Sequence, residues 1–171
     1  VQVVHDAITD LSYSGVRLAL GAGARIAGEA AALRASGTGA DEAPAGRRAL
    51  AILNGAHGDL VRQEAPALAL GMTVRVAGRP VPAEPDALRD AFPKATGRLA
   101  VFLHGLTEDE VSWCFGAERR GEPGITYGTR LQEDLGLTPV YLRYNTGLHI
   151  SENGRSLDDL LTALVEAWPV P

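Results

Sequence analysis

The feature that most constrains the fold is a pair of short, continuous apolar segments in the second half of the chain, at residues 98–103 and 139–144. Segments of this length and composition are typical of strands that are buried on both faces of a sheet. Between them, apolar residues at helical spacing predict a helix over 126–136. Strands that alternate with helices favour a parallel sheet with right-handed crossovers. We therefore expect an α/β fold.

A further helix is predicted after the second strand, over residues 156–168, where the amphipathic pattern is the most regular in the chain. It begins at Ser156, in a segment that resembles a capping box, and a loop is expected over 145–155. The apolar stripe of this helix needs a sheet beneath it and another strand after it. We therefore expect the domain to continue beyond residue 171, and the strand at 139–144 to expose an unpaired edge for the next strand.

The segment that precedes these elements has a different pattern. From Met72 the apolar residues alternate with polar ones, and a turn at Gly78 leads into a second short run, which together predict a β-hairpin. Pro80 and Pro82 confine the second strand to the edge of the sheet, because proline cannot donate a ladder hydrogen bond. We expect a mostly parallel sheet that begins with this hairpin.

The first part of the chain is rich in alanine and is predicted to be helical. Helices are expected over residues 5–35 and 47–54, the latter resuming near Asp59. The sequence therefore divides into an N-terminal helical extension, residues 1–71, and an α/β part, residues 72–171.

Composition excludes several kinds of partner. With 16 basic and 21 acidic residues the net charge is −5, which leaves no broad basic surface for nucleic acid. The most apolar stretch, residues 18–33, contains Arg25 and Glu29, so we expect no transmembrane segment. A single cysteine, Cys114, allows no intramolecular disulfide and no cysteine-based zinc site, and we expect neither a metal nor a cofactor. Localisation stays open, with the cytoplasm slightly favoured.

The strand at 98–103 runs directly into His104, Gly105 and Leu106. A buried strand that ends in His-Gly-apolar resembles the exit of the third strand of α/β-hydrolases, where an amide of the turn faces the substrate oxyanion. The order helix, strand, helix that follows also resembles this family. The segments VFLHGL, YGTRLQEDLGLTPVYLRYNTGLHISENGRSLDDLL and WPVP look like a group of bacterial esterase- and lipase-like members, and LNGAHGDL looks like their N-terminal extension.

The resemblance covers roughly residues 72–171 and implies an incomplete α/β-hydrolase fold. It implies serine-dependent hydrolysis of carboxylic esters, with a small-molecule ester or lipid as substrate and the remainder of the hydrolase domain as partner. None of the six serines lies in Gly-x-Ser-x-Gly, so the nucleophile and its triad partners would follow residue 171. The 171-residue chain alone is therefore expected to be inactive.

The same resemblance assigns the site residues. Gly105, Leu106 and Thr107 would form the oxyanion turn through their backbone, and His104 would shape that turn without acting as the triad base. The candidates for the substrate pocket, chosen for their places in the loops that follow the two strands, are Trp113, Tyr144 and Asn145.

Two other functions remain open from the sequence. The same fold supports acyl transfer and thioester hydrolysis. The chain could also be a non-catalytic interaction module in which the N-terminal helices bind a partner, because fold alone does not determine function.

Overall fold

The computed structural model describes residues 43–115, 117 and 125–170. The helix expected over 5–35 lies outside these residues. The described part is an α/β structure in which helices cover a small four-stranded sheet.

The sheet consists of β1 (Thr73–Val76), β2 (Arg79–Val81), β3 (Leu99–Phe102) and β4 (Thr138–Arg143), in the spatial order β2-β1-β4-β3. All four strands, including the hairpin formed by β1 and β2, are confirmed. The hairpin turns through Ala77 and Gly78, both of which have a positive φ, as a two-residue turn between twisted strands requires. The proline-containing strand β2 lies at the edge, as predicted.

Two expectations about the sheet are wrong. The sheet is mixed and not mostly parallel, because only β3 and β4 pair in parallel, whereas β1 pairs antiparallel with both β2 and β4. The strand expected to have a free edge, β4, is central, because the hairpin docks on it through β1. Among the described residues the two edge strands of the sheet are β2 and β3.

The helices largely follow the sequence pattern. α1 (Pro44–Glu64) is kinked at His57, where the sequence predicts a break, and α3 (Tyr127–Leu135) ends at Gly136 with a φ of 65°, as predicted. A short helix that the sequence pattern does not predict, α2 (Pro85–Ala91), follows the hairpin. Within the described ranges, no helix is both long and apolar enough to cross a membrane.

The last helix, α4 (Ile150–Ala167), begins six residues before the predicted start. Ser156 therefore lies inside the helix and does not cap it. Asn153 and Gly154 are poor helix formers and indicate a loop in the sequence. In the structure the Asn153 side chain donates a hydrogen bond to the Asn145 carbonyl at 3.0 Å, so that a tertiary contact fixes the first turns of the helix.

Each face of the sheet is covered by different elements. On one face Val74, Val140 and Leu142 pack against Leu88 of α2 and Leu164 of α4, and all five side chains are buried. The opposite face meets α3 and a short 3-10 helix, Glu110–Cys114. This second face is partly polar, since it carries buried charged groups.

A buried ion cluster fixes the 3-10 helix to the sheet. The Glu110 carboxylate accepts two hydrogen bonds from the guanidinium of Arg143, and the one from Nε has a length of 2.7 Å. Both residues are less than a tenth exposed. Arg75 of β1 lies 3.9 Å from the same carboxylate. The cluster thus joins β1, β4 and the segment that follows β3.

We expect Glu110→Gln to lower the free energy of unfolding by about 3 kcal/mol, because it leaves the buried guanidinium of Arg143 without this negative charge. Urea denaturation followed by circular dichroism measures the change. Glu133→Gln, on the exposed surface of α3, is the matched control and should have almost no effect. Equal small losses in both variants would show that the cluster does not fix the 3-10 helix.

Candidate functional site

The carboxyl ends of the two parallel strands carry the predicted oxyanion turn and one of the predicted pocket residues. His104 to Thr107 follow β3, and Tyr144 follows β4. The Tyr144 hydroxyl donates a hydrogen bond to the His104 carbonyl at 2.8 Å, which ties the two loops together. Ligands of open α/β sheets bind at this end of the strands.

Both ring nitrogens of His104 have backbone partners. Nδ1 lies 3.0 Å from the Gly105 carbonyl, which can only accept, and Nε2 lies 3.3 Å from the amide of Tyr144, which can only donate. The imidazole is therefore held neutral, with its proton on Nδ1. Burial lowers the pKa of His104 below its ordinary value, although the bond to Gly105 and nearby carboxylates oppose the shift. This histidine is positioned to shape the turn and is not available as a base.

The turn after β3 uses almost all of its hydrogen-bond donors. The Gly105 amide donates to Glu108 Oε2 at 3.2 Å, and the Thr107 amide donates to the Thr146 hydroxyl at 3.1 Å. The Glu108 amide closes the turn on the Gly105 carbonyl at 3.2 Å. The Leu106 amide has no hydrogen-bond partner among the described residues. The Leu106 amide is therefore a free donor, and Leu106 is one of the three residues that the resemblance assigns to the oxyanion turn.

The strained residue of this turn is Thr107. Its φ of 59° is in the left-handed region, which is a rare conformation for a β-branched residue. Gly105 in the same turn is not in that region, and a Cβ there would meet only the flexible Glu108 carboxylate, at 3.1 Å. Strain of about 1–3 kcal/mol persists only where the surroundings enforce it, and it is concentrated at functional sites.

The kinked helix α1 supplies part of that enforcement. A Cβ added to Gly55 would lie 2.7–2.9 Å from Thr107, so the two segments can touch only because residue 55 is glycine. A Cβ added to Gly58, on the other side of the kink, would likewise clash with Asn145 and Gly147 of the loop after β4. The kink therefore supports both loops at the carboxyl end of the sheet.

Leu106 lines a cavity of about 340 Å³ at this end of the sheet. Thr146 and Tyr144 are among its lining residues, and the Tyr144 ring packs against His104 at an interplanar angle of 31°, with the ring centres 4.6 Å apart. Most of its remaining lining is apolar and comes from Met72, Leu103, Leu106, Leu148, Ile150 and Leu157. Among the described residues, no Asp, Glu, Lys or Arg side chain lines it. The cavity can therefore accept an uncharged apolar group beside a backbone donor.

The structure does not bring the other two pocket candidates to this cavity. Trp113 packs edge-on against Phe102, with ring centres 5.1 Å apart, on the face of the sheet opposite Leu103. Asn145 is buried, donates to the Gly58 carbonyl at 3.2 Å and accepts from the Gly147 amide at 3.0 Å. It holds α1 to the loop after β4 and does not line the cavity.

Sequence reasoning missed two contributors to the site. Thr146, which holds the Thr107 amide, gives no local signal, because the pairing joins residues 39 positions apart. The cavity wall formed by α4 was missed because its residues fall in the segment interpreted as a loop. The helical spacing of Ile150, Gly154 and Leu157 is a signal that could have found it.

The pKa of His104 provides a test of the neutral imidazole. A folded-state pKa below about 6.5 means that the unfolded chain binds the proton more tightly. The free energy of unfolding should therefore rise with pH until about 6.5, by at most about 1.4 kcal/mol per pH unit from this group. Urea titrations between pH 5 and 8 measure the slope, and NMR titration of the ring measures the pKa.

In this experiment His104→Gln, which removes the group with the lowered pKa, should flatten the slope. A ring that titrates at or above pH 6.5 would contradict the assigned tautomer and the positional role.

No protein-family model, curated protein or solved structure matches the chain. The α/β-hydrolase assignment therefore remains a prediction from the sequence motif after β3 and from the order of the elements. The carboxyl end of the two parallel strands thus carries a neutral, fixed histidine, the free Leu106 amide and a mostly apolar cavity.

Proposed function

We propose that this chain supplies the oxyanion-hole turn and part of the substrate pocket of a serine hydrolase that acts on carboxylic esters. In this proposal the described α/β structure is the first part of an α/β-hydrolase domain. The serine, the triad acid and the triad histidine are supplied by residues outside these 171, because no serine here lies in Gly-x-Ser-x-Gly.

The observation that carries the proposal is the free Leu106 amide between two neighbouring amides that are hydrogen-bonded within the protein. An oxyanion hole needs a backbone amide that is fixed before the reaction and left unpaired for the developing charge. The amides of Gly105 and Thr107 are both used within the protein, whereas that of Leu106 is not. The second donor is expected from the residue after the catalytic serine, as in other members of this fold.

In the proposed reaction, the substrate carbonyl lies with its oxygen at the Leu106 amide. The serine attacks the carbonyl carbon, and a histidine accepts the serine proton as general base. The amide stabilises the negative charge that develops on the oxygen. His104 takes no proton in this reaction, because both of its nitrogens are engaged by the backbone.

The 171-residue chain alone should hydrolyse no ester and should not react with a fluorophosphonate serine probe. The measurement combines nitrophenyl-ester turnover with mass spectrometry of the probe-treated chain. The comparison is a longer protein, translated from the same natural reading frame and containing Gly-x-Ser-x-Gly. The probe should label this longer protein at the serine of that motif alone. Labelling of any of the six serines present here would overturn the proposal, and an extended frame without the motif would favour the interaction module.

In an extended protein with ester hydrolase activity, replacing Leu106 by its α-hydroxy acid removes the backbone N–H and keeps the side chain. We expect kcat to fall by about 10²–10³, the usual cost of one lost oxyanion donor. Leu106→Ala is the matched control, since it removes the side chain but keeps the N–H, and it should leave kcat within a few-fold. If the backbone replacement is neutral, this amide is not the donor.

A further inference from the structure

A second cavity, of about 310 Å³, lies at the opposite end of the sheet, where β1 ends and β4 begins. Its walls come from the hairpin, from the end of α2 and the loop that follows it, from α3 and from β4. Among the residues that the structure describes, none lines both this cavity and the one that Leu106 lines. The second cavity is therefore separate from the candidate site at the turn after β3.

The charged residues that line this second cavity are both basic. Arg75 and Lys94 form part of its wall, whereas no Asp or Glu within the described ranges does so. This is a local departure from the composition of the chain, whose net charge is −5. Two positive charges on the wall of a cavity attract an anionic ligand.

Arg75 supplies a fixed positive charge. Its side chain is buried, and Nη2 donates a hydrogen bond to the carbonyl of Gly78 in the hairpin turn. This bond holds the guanidinium, which stays charged in proteins, at the end of β1 where the cavity lies. The Glu110 carboxylate lies 3.9 Å from Nε of Arg75 but accepts two hydrogen bonds from Arg143, so it is held mainly by Arg143.

Lys94, the only lysine of the sequence, supplies the second charge. It lies in a turn in which the Ala95 amide donates to the Phe92 carbonyl at 3.0 Å. The Phe92 ring packs against Trp168, with ring centres 5.1 Å apart, and this contact anchors the turn. Lys94 is exposed, and its ammonium group has no hydrogen-bond or ion-pair partner among the described residues. The turn thus holds a cation at the cavity that no protein group neutralises.

The rest of the lining is largely flat and apolar. The ring-bearing residues are Phe92, Pro93, Pro139 and Tyr141. The Tyr141 hydroxyl already pairs with Thr126 Oγ1 at 2.9 Å. A volume of about 310 Å³ is at the small end of ligand pockets. These walls suit a small ligand with a flat apolar body.

We propose that this cavity binds a small organic carboxylate with a flat apolar body. The carboxylate pairs with the Lys94 ammonium beside the fixed charge of Arg75, and the apolar body packs against the rings of the wall. Hydrogen bonds between ionised partners are stronger than those between neutral ones, so the charge of the ligand contributes to affinity. The proposal does not depend on ester hydrolysis, because it uses no residue of the turn after β3.

A series of three probes tests the two features of the ligand on the 171-residue chain. Benzoate carries both the charge and the flat body, benzamide lacks the charge, and acetate lacks the body. Benzoate should bind at least about tenfold more tightly than either of the others in calorimetric titrations at neutral pH. Raising the salt concentration should weaken benzoate and leave benzamide unchanged, because salt screens exposed charges. Equal affinities for benzoate and benzamide would overturn the proposal.

The single lysine allows the site itself to be observed. With isotope-labelled lysine, NMR shows one set of side-chain signals, and benzoate should shift them while benzamide should not. Benzoate binding that leaves the Lys94 signals unmoved would place the ligand elsewhere and would contradict the proposal.

Variants of Lys94 test the role of its charge, and the exposed position should tolerate them without loss of fold. Lys94→Gln should weaken benzoate by about threefold to fivefold, as expected for an exposed charge, and should leave benzamide unchanged. Lys94→Arg keeps the charge and should largely restore the affinity. Arg155→Gln is the matched control, because it removes one positive charge at an exposed position that does not line the cavity. Equal effects of Lys94→Gln and Arg155→Gln would show that net charge alone, and not this site, attracts benzoate.

Discussion

The described structure depends on a close backbone contact between the kink of α1 and the loops at the carboxyl end of the sheet. Gly55 lies against Thr107, and Gly147 lies against the carbonyl of Asn54. A Cβ on either glycine would clash with these atoms. These contacts hold two loops that are distant in sequence against one rigid helix. Thr107 can then keep a strained φ, because several neighbours enforce it together. Helix α1 thereby supports the turn after β3 and the loop after β4.

The opposite side of the turn is fixed by electrostatics. Asp109 precedes the 3-10 helix and pairs with Arg47 of α1 at 2.8 Å, while Glu110 pairs with Arg143 of β4. Two consecutive carboxylates thus join the segment after β3 to a helix on one side and to the sheet on the other. Buried pairs of this kind contribute little net stability but cost several kcal/mol when one partner is removed. Here the two pairs fix the position of the segment that follows the His104–Thr107 turn.

The sequence predicts most of the elements, because strands and helices are recorded in local apolar periodicity. It predicts β3, β4, the hairpin and the break in α1, and it points to the Leu106 amide through its place after a buried strand. It does not predict which hairpin strand docks on β4, nor that α4 begins at Ile150. The docking depends on pairing between residues far apart in sequence, such as Thr73 and Arg143, and the start of α4 depends on the bond from Asn153 to Asn145, which lies outside the helix. Thr146 was missed for the same reason.

A free amide beside an apolar cavity imposes a chemical condition on whatever binds there. While the Leu106 amide faces water, it costs nothing, because water satisfies it. A purely apolar ligand that covered the cavity mouth would remove that water and leave the donor buried and unpaired, at a cost of about 1–3 kcal/mol. A ligand that carries a hydrogen-bond acceptor next to its apolar part avoids this cost and gains the apolar burial. An ester carbonyl attached to an alkyl chain meets both conditions, and its oxygen becomes a stronger acceptor as negative charge develops on it.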